Sequence, residues 1–452
     1  MEADALTGWK CCAILMQRWQ SDACPIVYKQ NSGDSDVLET NEISVELKAQ
    51  AERLRRGALQ IVPENGLELK LAKSEQTGKP LRIKLGLDPT APDIHLGFAV
   101  VLRKLRQFQD LGHQVVIIIG DYTALIGDPS GKSVTRPMLS DAEIQANATT
   151  YVDQLARILD RSRTEIRFNS EWLGKLNFAE LVRLTSKVTV ARILEREDFA
   201  TRLAAHQPIS MHELLYPLAQ AYDSVCISAD IEMGGQDQMF NILAGRDLQE
   251  KEGMDAQAGM FMPLLVGLDG VKKMSKSLGN YVAIGDTPDT MYGKLLSLSD
   301  SMMRDYYVLC TDVPLAEINT LLGQAESGEV NPKVIKSRLA REIIAIYHGA
   351  PAAEAAEAEW NRIHSAGELP SDIPDVNVPV DSAKDGKVWV CKLLTLAGMA
   401  KSNGDARRLV EQGGVSVNGE KIGDPGAELP LDSLDEAVLR VGARRYARLH
   451  LA

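Results

Sequence analysis

The chain has 452 residues, 45% of them hydrophobic and 25% charged, which predicts a soluble globular protein of roughly two to four domains. Its formal net charge of −12 excludes a protein that coats nucleic acid by bulk attraction, so any such contact must come from a local basic surface. No apolar run approaches the roughly 20 residues of a membrane span. The six cysteines lack zinc-finger spacing, which predicts reduced thiols.

The N-terminal segment, residues 1–42, shows no clear periodicity and contains the polar run 31–36. We expect a flexible extension there. Its one apolar stretch, residues 12–16, is too short for the core of a signal peptide, so we expect no secretion and a cytoplasmic location. Helical texture begins near Ile43 and continues to about Leu59.

A strand, a helix and a second strand follow within about 40 residues. Residues 81–85 alternate as a strand does, and residues 97–111 place apolar side chains on one helical face. Residues 114–119 form a continuous β-branched run, which is typical of a strand buried on both faces of a parallel sheet. This βαβ unit predicts a doubly wound α/β fold with right-handed crossovers.

The remaining elements are predicted more coarsely. Residues 140–204 look helical and interrupt the sheet, while residues 225–231 and 263–268 are strand candidates. Residues 286–358 are predicted to be mainly helical, and a linker is expected around Pro370, Pro374 and Pro379. From residue 388 onward the pattern indicates a compact α+β segment, with a strong hairpin signal at residues 415–420.

The first segment that could carry chemistry spans residues 88–97, after the first predicted strand and at the start of a helix. Helix starts offer unpaired N–H groups and a positive dipole end, so this segment could bind phosphate. Thr90 and His95 could add donors, and Gly97 would let a nucleotide approach the backbone. From spacing alone, a helix-capping loop with a surface histidine is the favoured explanation.

The second segment, residues 127–133, nearly matches a phosphate-binding P-loop. Only three residues separate its glycines, whereas the P-loop pattern needs four. Pro129 also removes a backbone donor, and the carboxylate of Asp128 would repel phosphate. Asp128, at a strand end, therefore suits an ammonium group better.

The third segment is a polar stripe of Tyr216, Gln220 and Asp223, which fall on one face of a predicted helix. The stripe could face a ligand or simply solvent. Residues 212–216 lack the second histidine of a zinc-protease helix, so no metal is predicted there.

The fourth segment spans residues 271–280 and contains Lys-Met-Ser-Lys-Ser at positions 273–277, hereafter the KMSKS loop. Two lysines, two serines and a glycine predict a mobile cationic loop able to close on a polyphosphate. A solvated basic loop is the ordinary alternative for any single instance of such a run.

Taken together, these motifs resemble a known family. The KMSKS loop with His95, Leu96 and Gly97 resembles the paired signatures of class I aminoacyl-tRNA synthetases. The tyrosyl-tRNA synthetase family, bacterial type, is then indicated by four further motifs: residues 86–90, 127–132, 216–223 and 234–238. Residues 406–419 are similar to an S4 RNA-binding module, and the arginine-rich stretch 440–448 fits local phosphate contact.

The resemblance implies a fold and a domain order. It implies an α/β Rossmann-like, doubly wound parallel sheet with a helical insertion, followed by an α-helical domain and a small α+β S4-like domain. The expected boundaries are residues 1–42 for the extension, 43–285 for the catalytic domain with its insertion at about 140–210, 286–384 for the helical anticodon-binding domain and linker, and 385–452 for the S4-like domain.

The resemblance also implies a tyrosine–tRNA ligase, which activates L-tyrosine with ATP and transfers the tyrosyl group to the 3′ end of tRNA(Tyr). The implied catalytic residues are Thr90, His95, Lys273 and Lys276. The implied ATP-binding residues are Gly86, Asp88, His95, Gly97, Gly234, Asp237, Gln238 and Lys276. Asp128, Tyr216 and Gln220 would hold the ammonium group of tyrosine, and Asp223 would accept a hydrogen bond from its phenol. RNA contacts are expected at Arg407, Arg408, Arg444 and Arg445.

The implied partners are ATP with Mg²⁺, tyrosine, tRNA and a second copy of the chain in a homodimer. No protein-bound metal, membrane or DNA partner is expected. The inserted helical stretch after Ser140 is the expected dimer contact.

Two positions depart from the family pattern. Phe98 stands where the signature usually has a second histidine, so we expect retained activity with an altered ATP affinity. Lys84 stands where many relatives have a second tyrosine that helps hold the phenol. Two other functions remain as alternatives. One is a tryptophanyl enzyme, which Asp223 and the S4-like tail disfavour. The other is a retired synthetase that only binds RNA, which the intact lysines disfavour.

Overall fold

The computed structural model describes residues 44–88, 94–128, 154–364, 369, 373–442 and 445–452. The predicted extension 1–42, the predicted catalytic Thr90 and the predicted RNA-contacting Arg444 lie outside these ranges. Within them, no helix combines the length and the apolar character needed to cross a membrane.

A six-stranded sheet with surrounding helices forms the first part of the chain. Its elements are α1 (Val45–Arg55), β1 (Gln60–Val62), α2 (Gly66–Thr77), β2 (Arg82–Leu87), α3 (Leu96–Asp110), β3 (Gln114–Ile119), α4 (Thr123–Ile126), β4 (Thr164–Phe168), α5 (Ser170–Leu173), α6 (Phe178–Thr185), α7 (Val190–Leu194), α8 (Glu197–Ala204), α9 (Tyr216–Cys226), β5 (Ile231–Gly235), α10 (Met239–Lys251) and β6 (Ala258–Met262).

The strand order in this sheet is β1-β6-β5-β2-β3-β4. All neighbouring pairs are parallel except β1, which runs antiparallel to β6 at one edge. From β2 the chain winds outward through β3 and β4, then returns to β5 on the other side of β2. The switch point between β2 and β5 is where a doubly wound sheet opens a crevice at its carboxyl edge. The predicted α/β class is confirmed.

Three element predictions were wrong in detail. Residues 225–231 do not form a strand, because helix α9 continues to Cys226 and the strand begins only at Ile231. The strand before the KMSKS loop is Ala258–Met262, which ends where Pro263 has no N–H group for the ladder. The insertion is not all helical, since it contains Thr164–Phe168, the edge strand of the sheet.

Helices then dominate, and a smaller sheet closes the chain. The elements are α11 (Pro288–Leu296), α12 (Met303–Cys310), α13 (Leu315–Glu326), α14 (Pro332–His348), α15 (Ala350–His364), β7 (Asp375–Val378), β8 (Lys387–Trp389), α16 (Val390–Leu396), α17 (Asn403–Glu411), β9 (Val415–Val417), β10 (Glu420–Lys421), β11 (Glu428–Pro430), β12 (Val438–Val441) and β13 (Arg445–Leu451).

Among the described residues, two large hydrophobic cores support these elements, and two small clusters of buried residues lie around Val116 and Leu218. The larger one joins the sheet to α1 and continues through α11 to α15, so the helical segment packs as one body with the sheet. The smaller core is formed by buried residues from Val378 to Leu449, in the C-terminal α+β part of the chain. Its β9–β10 hairpin confirms the predicted turn, because Asn418 and Gly419 both have the positive φ angles, 48° and 85°, that such a two-residue turn requires.

Candidate active site

A cavity of about 730 Å³ opens at the carboxyl edge of the sheet, over the switch point between β2 and β5. It brings together most of the residues that the sequence singled out. Those that line it are Gly86, Asp88, His95, Gly97, Asp128, Tyr216, Gln220, Asp223, Gly234, Asp237, Gln238 and Lys273.

The deep end of the cavity is closed by Asp223, which is only 3% exposed. Its Oδ1 accepts from the indole Nε1 of Trp172 at 2.8 Å, and its Oδ2 lies 3.4 Å from the amide Nδ2 of Asn169. Burial raises the pKa of Asp223 to about 7, although the positive charge of Lys84 and these two hydrogen bonds act to lower it. A carboxylate in this position can accept a further hydrogen bond from a ligand.

Below this end lies a buried ion pair that the sequence did not reveal. Lys84 on β2 and Glu232 on β5 are directly opposite in register, and their side chains are fully buried. The Lys84 Nζ lies 2.9 Å from Glu232 Oε1 and also donates to the Ser224 hydroxyl at 2.7 Å and the Gln220 carbonyl at 2.8 Å. Lys84 is therefore not positioned as a free partner for a phenol. A charged residue inside each apolar strand was the signal that could have revealed the pair.

The middle of the cavity holds a chain of three hydroxyl and carboxylate groups. The Tyr216 hydroxyl donates to Asp88 Oδ2, and the Thr123 hydroxyl donates to Asp88 Oδ1, both at 2.8 Å. A side chain at Gly120 would lie 2.2 Å from Asp88 Oδ1, so only glycine permits this contact. Burial and the negative charge of Asp88 raise the pKa of Tyr216 well above its usual range, so Tyr216 stays a hydrogen-bond donor.

Asp128 also lines the cavity and accepts hydrogen bonds from two side chains. Its Oδ1 accepts from Arg196 Nη2 at 3.0 Å, and its Oδ2 accepts from Gln238 Nε2 at 2.8 Å. Arg196 is buried and also pairs with Asp198. Sequence reasoning missed Arg196, because it comes from the insertion, far from Asp128 along the chain.

His95 begins helix α3 as its N-cap residue. Its Nδ1 accepts from the backbone N–H of Phe98 at 3.2 Å. Burial, together with the positive charge of Lys276, lowers the pKa of His95 to about 4. The ring is therefore neutral at pH 7, and since Nδ1 is an acceptor, its proton is assigned to Nε2. Phe98 lines the cavity and packs against the larger core.

The KMSKS loop lies against the start of α3. Met274 is buried, and its Sδ accepts from the backbone N–H of Gly97 at 3.3 Å. A Cβ atom on Gly97 would lie 3.3 Å from Met274 Cβ and 3.2 Å from His95 Nδ1, so a side chain there would press on both residues. The two signature segments, far apart in the sequence, are in direct contact.

One lysine of the loop, Lys273, lines the mouth of the cavity. Lys273 Nζ lies 3.3 Å from Asp237 Oδ2, in an ion pair that is partly exposed to solvent. Lys276 does not line the cavity, but its charge acts on His95, which places it at the same end. Among the described residues, no cluster of histidine, cysteine and carboxylate side chains could hold a metal ion. The expectation of no protein-bound metal stays a prediction.

Of the four predicted RNA contacts, the three that the structure describes, Arg407, Arg408 and Arg445, lie in the C-terminal α+β part and do not line the cavity. Arg407 and Arg408 are exposed on α17, and Arg408 lies 3.3 Å from Asp405. Arg445, also exposed, donates from Nη1 to the Met399 carbonyl at 2.6 Å, which ties the start of β13 to the loop before α17.

Comparison with protein families gives two matches. Residues 76–365 match the family described as tRNA synthetases class I (W and Y), and residues 388–432 match the S4 domain. The first match covers five of the six strands of the sheet, all except β1, together with the cavity and the helical segment. The second covers most of the smaller core.

Individual proteins agree with these matches. The chain is 52% identical over 409 residues to the tyrosine–tRNA ligase of Moorella thermoacetica, covering 90% of this chain and 97% of that one. It is 53% identical over 404 residues to that of Carboxydothermus hydrogenoformans, covering 89% and 98%. The crystal structure of an Archaeoglobus fulgidus tyrosyl-tRNA synthetase complexed with L-tyrosine shares the fold, with a TM-score of 0.55, 21% identity, and coverage of 69% of this chain and 99% of that one. The chain belongs to the tyrosine–tRNA ligase family of class I tRNA synthetases.

Proposed function

We propose that this protein is a tyrosine–tRNA ligase that holds tyrosine at the buried end of the cavity and ATP at its mouth. In the first step a carboxylate oxygen of tyrosine bonds to the α-phosphorus of ATP and the bond to pyrophosphate breaks, which gives tyrosyl-adenylate. In the second step a hydroxyl of the terminal ribose of tRNA attacks the tyrosyl carbonyl and AMP leaves. The observation that carries the proposal is that one cavity joins buried Asp223 to His95 and Lys273.

At the buried end, Asp223 accepts from the substrate phenol, and Asp128, Tyr216 and Gln220 surround the ammonium group. Support comes from the hydrogen bonds of Asp223: among the described residues, its Oδ2 receives only the long 3.4 Å contact from Asn169, so it has room for a second donor. Phenylalanine has no hydroxyl group to donate, so the buried Asp223 Oδ2 would keep only the long contact from Asn169. Rejection of phenylalanine is a well-known property of tyrosyl-tRNA synthetases in general, and this chemistry accounts for its direction.

At the mouth, catalysis is positioning plus charge stabilisation, since no covalent nucleophile is needed. Neutral His95 donates its Nε2–H to the developing charge on the leaving pyrophosphate, and Lys273 and Lys276 close over the same oxygens. Thr90 is proposed to join them. Gly86, Asp88, Gly97, Gly234, Asp237 and Gln238 are proposed to contact the nucleotide, and Mg²⁺ enters as part of the ATP substrate.

For tRNA binding we keep the domain division at residues 43–285, 286–384 and 385–452. The helical domain is proposed to meet the anticodon stem, and Arg407, Arg408, Arg444 and Arg445 are proposed to contact phosphates. Exposed arginines on an otherwise acidic protein support this local role.

A homodimer in the cytoplasm is part of the same proposal. The insertion exposes large apolar side chains, Phe178 and Val182 on one face of α6 and Val190 on α7. Clustered exposed apolar residues favour a protein–protein contact there.

The test is amino-acid-dependent ATP–pyrophosphate exchange, followed by charging of total tRNA. Exchange that depends on tyrosine supports the proposal. Dependence on tryptophan would favour the tryptophanyl alternative, and no exchange with any amino acid would favour a retired synthetase that only binds RNA.

A further inference from the structure

The buried pair of Lys84 and Glu232 makes more contacts than an ion pair needs for its own sake. All three Nζ protons of Lys84 have acceptors: the Glu232 carboxylate, the Ser224 hydroxyl and the Gln220 carbonyl. Two of these acceptors belong to α9, so the lysine fixes this helix to the two central strands of the sheet. The helix turn that it holds also carries Asp223.

Glu232 controls the orientation of Gln220. Its Oε1 accepts from the side-chain Nε2 of Gln220 at 3.1 Å, and its Oε2 accepts from the Ser224 hydroxyl at 2.9 Å. Because the amide nitrogen of Gln220 is engaged below the cavity, the amide oxygen is the atom left to face the space that Gln220 lines. A carbonyl oxygen is what an ammonium group requires, whereas a flipped amide would repel it.

The pair also sets the charge around Asp223. Lys84 approaches this carboxylate from β2 and Glu232 from β5, while Tyr216 and Cys226 lie on its own helix. Of the two charges, Lys84 has the larger effect on the pKa of Asp223, so the pair as a whole favours the ionised form. Burial raises the pKa of Cys226 to about 12, and the pKa of Tyr216 is also raised, so neither titrates near neutral pH.

Stability alone does not account for such a pair. A buried ion pair replaced by apolar groups of similar shape is often as stable or more so, because desolvation offsets the attraction. We propose that Lys84 and Glu232 are positioning residues of the amino-acid subsite: they turn the amide oxygen of Gln220 toward the substrate ammonium and fix the helix turn that presents Asp223 to the phenol. This inference rests on the proposed function and goes beyond it, since neither residue touches substrate.

The experiment uses the full-length double variant Lys84→Met/Glu232→Gln, which keeps the side-chain volumes and leaves no single buried charge. The matched control is Arg202→Met/Glu213→Gln, a second buried pair outside the cavity. Tyrosine and ATP KM, kcat, the pH profile of kcat/KM for tyrosine, and Tm are measured for both by pyrophosphate exchange and thermal melting.

We expect the double variant to raise the tyrosine KM about tenfold, the size expected for one misplaced hydrogen bond to a charged group, with the ATP KM close to that of wild type. The acid limb of its tyrosine kcat/KM profile moves to higher pH, because losing Lys84 outweighs losing Glu232 at Asp223. The control pair should change neither quantity.

An unchanged tyrosine KM and an unmoved acid limb would overturn the inference, as would equal rises in the tyrosine and ATP KM. If the double variant has a much lower Tm than wild type, the same comparison is made with Lys84→Arg, which keeps the charge. This variant should retain the wild-type acid limb of the kcat/KM profile for tyrosine. A shifted acid limb would contradict the inference. Absence of tyrosine-dependent exchange in the wild type would instead refute the proposed function.

Discussion

The two ends of the cavity are built differently. At the buried end, Asp223, Lys84 and Glu232 are almost inaccessible, and each is held by hydrogen bonds from several elements. At the mouth, Lys273 is half exposed and pairs with Asp237 at 3.3 Å. Rigid strands and one helix supply the first set, and a loop supplies the lysine of the second.

This difference matches two tasks. Discrimination between similar amino acids needs polar groups fixed before the substrate arrives, because misplacement of a buried acceptor removes its selectivity. Binding and releasing a polyphosphate needs cations that can move, and a partly exposed ion pair costs little to break. We therefore propose that selectivity resides at the buried end of the cavity and that control of the rate resides at its mouth.

The largest effect is expected at the mouth. Lys273→Ala and Lys276→Ala should each lower kcat for pyrophosphate exchange by roughly 10²-fold to 10³-fold, because each removes a donor to charge that develops in the transition state. The tyrosine KM should change little. Lys272→Ala, at an exposed neighbouring position, is the matched control. A wild-type kcat in either loop variant would show that the loop does not act on the phosphates.

Next in size is the pH dependence of the buried end. Because burial raises the pKa of Asp223 to about 7, kcat/KM for tyrosine should fall about tenfold per pH unit below pH 7. His95, with a pKa of about 4, should add no limb above pH 5. Steady-state exchange on both sides of pH 7 measures this; a flat profile on the acid side would contradict an ionised acceptor.

Stability should move in the opposite direction to activity. Burial raises the pKa of Asp223 from 3.8 to about 7 in the folded protein, so folding favours the protonated carboxyl. The free energy of unfolding therefore includes a favourable contribution from this group that is fully present below pH 3.8, the pKa in the unfolded chain. That contribution is lost as the pH rises through 7. Asp223→Asn should therefore melt above wild type at pH 8, by about 2–4 °C for each kcal/mol recovered, and closer to wild type at pH 5. Asp110→Asn, on the surface, is the control. A variant that melts lower at pH 8 would argue against costly burial of the charge.

Two glycines separate steric effects on the loop from effects on the nucleotide. Gly97→Ala should lower kcat several-fold, since its Cβ would press on Met274 and His95. Gly86→Ala places a Cβ where nothing lies within 4 Å, so Tm should be unchanged and any effect should appear in the ATP KM. Thermal melting and ATP titration are measured for both variants. If Gly97→Ala and Gly86→Ala change Tm equally, steric effects on the loop cannot be separated from effects on the nucleotide.

The smallest effect is expected outside the cavity. Arg407→Ala with Arg408→Ala should raise the tRNA KM a few-fold at low salt and less at high salt, where phosphate contacts are screened, and should leave pyrophosphate exchange unchanged. Arg106→Ala, paired with Asp110 on the catalytic part, is the control. The tRNA KM is measured in charging assays at two salt concentrations. The prediction is contradicted if Arg106→Ala raises the tRNA KM as much as the Arg407→Ala/Arg408→Ala variant does.

Much of this arrangement could be predicted from the sequence, because local patterns and short motifs carry it. The β-branched run of β3 and the amphipathic α3 define a parallel unit, and strand ends meet at one edge of such a sheet. Residues as distant as His95 and Asp223 could therefore be assigned to one crevice.

The residues that hold Asp223 and Lys84 in place could not be predicted from the sequence. Trp172 and Asn169 reach Asp223 from the segment after β4, a strand that the helical texture of the insertion concealed. Lys84 was visible as a departure, but its pairing with Glu232 depends on strand order, which places β5 beside β2 although the two strands are far apart along the chain. Long-range pairing of this kind leaves no local periodicity.

The assignment of selectivity to the buried end and of rate control to the mouth is tested most directly by one ratio. It is the ratio of kcat/KM for tyrosine to kcat/KM for phenylalanine, measured by pyrophosphate exchange. Asp223→Asn should collapse this ratio by roughly 10-fold to 100-fold, the range expected for losing a charged hydrogen bond. Lys276→Ala should lower both values equally and leave the ratio at its wild-type level. A ratio that Asp223→Asn leaves intact, or that Lys276→Ala reduces as strongly, would contradict the assignment of selectivity to the buried end.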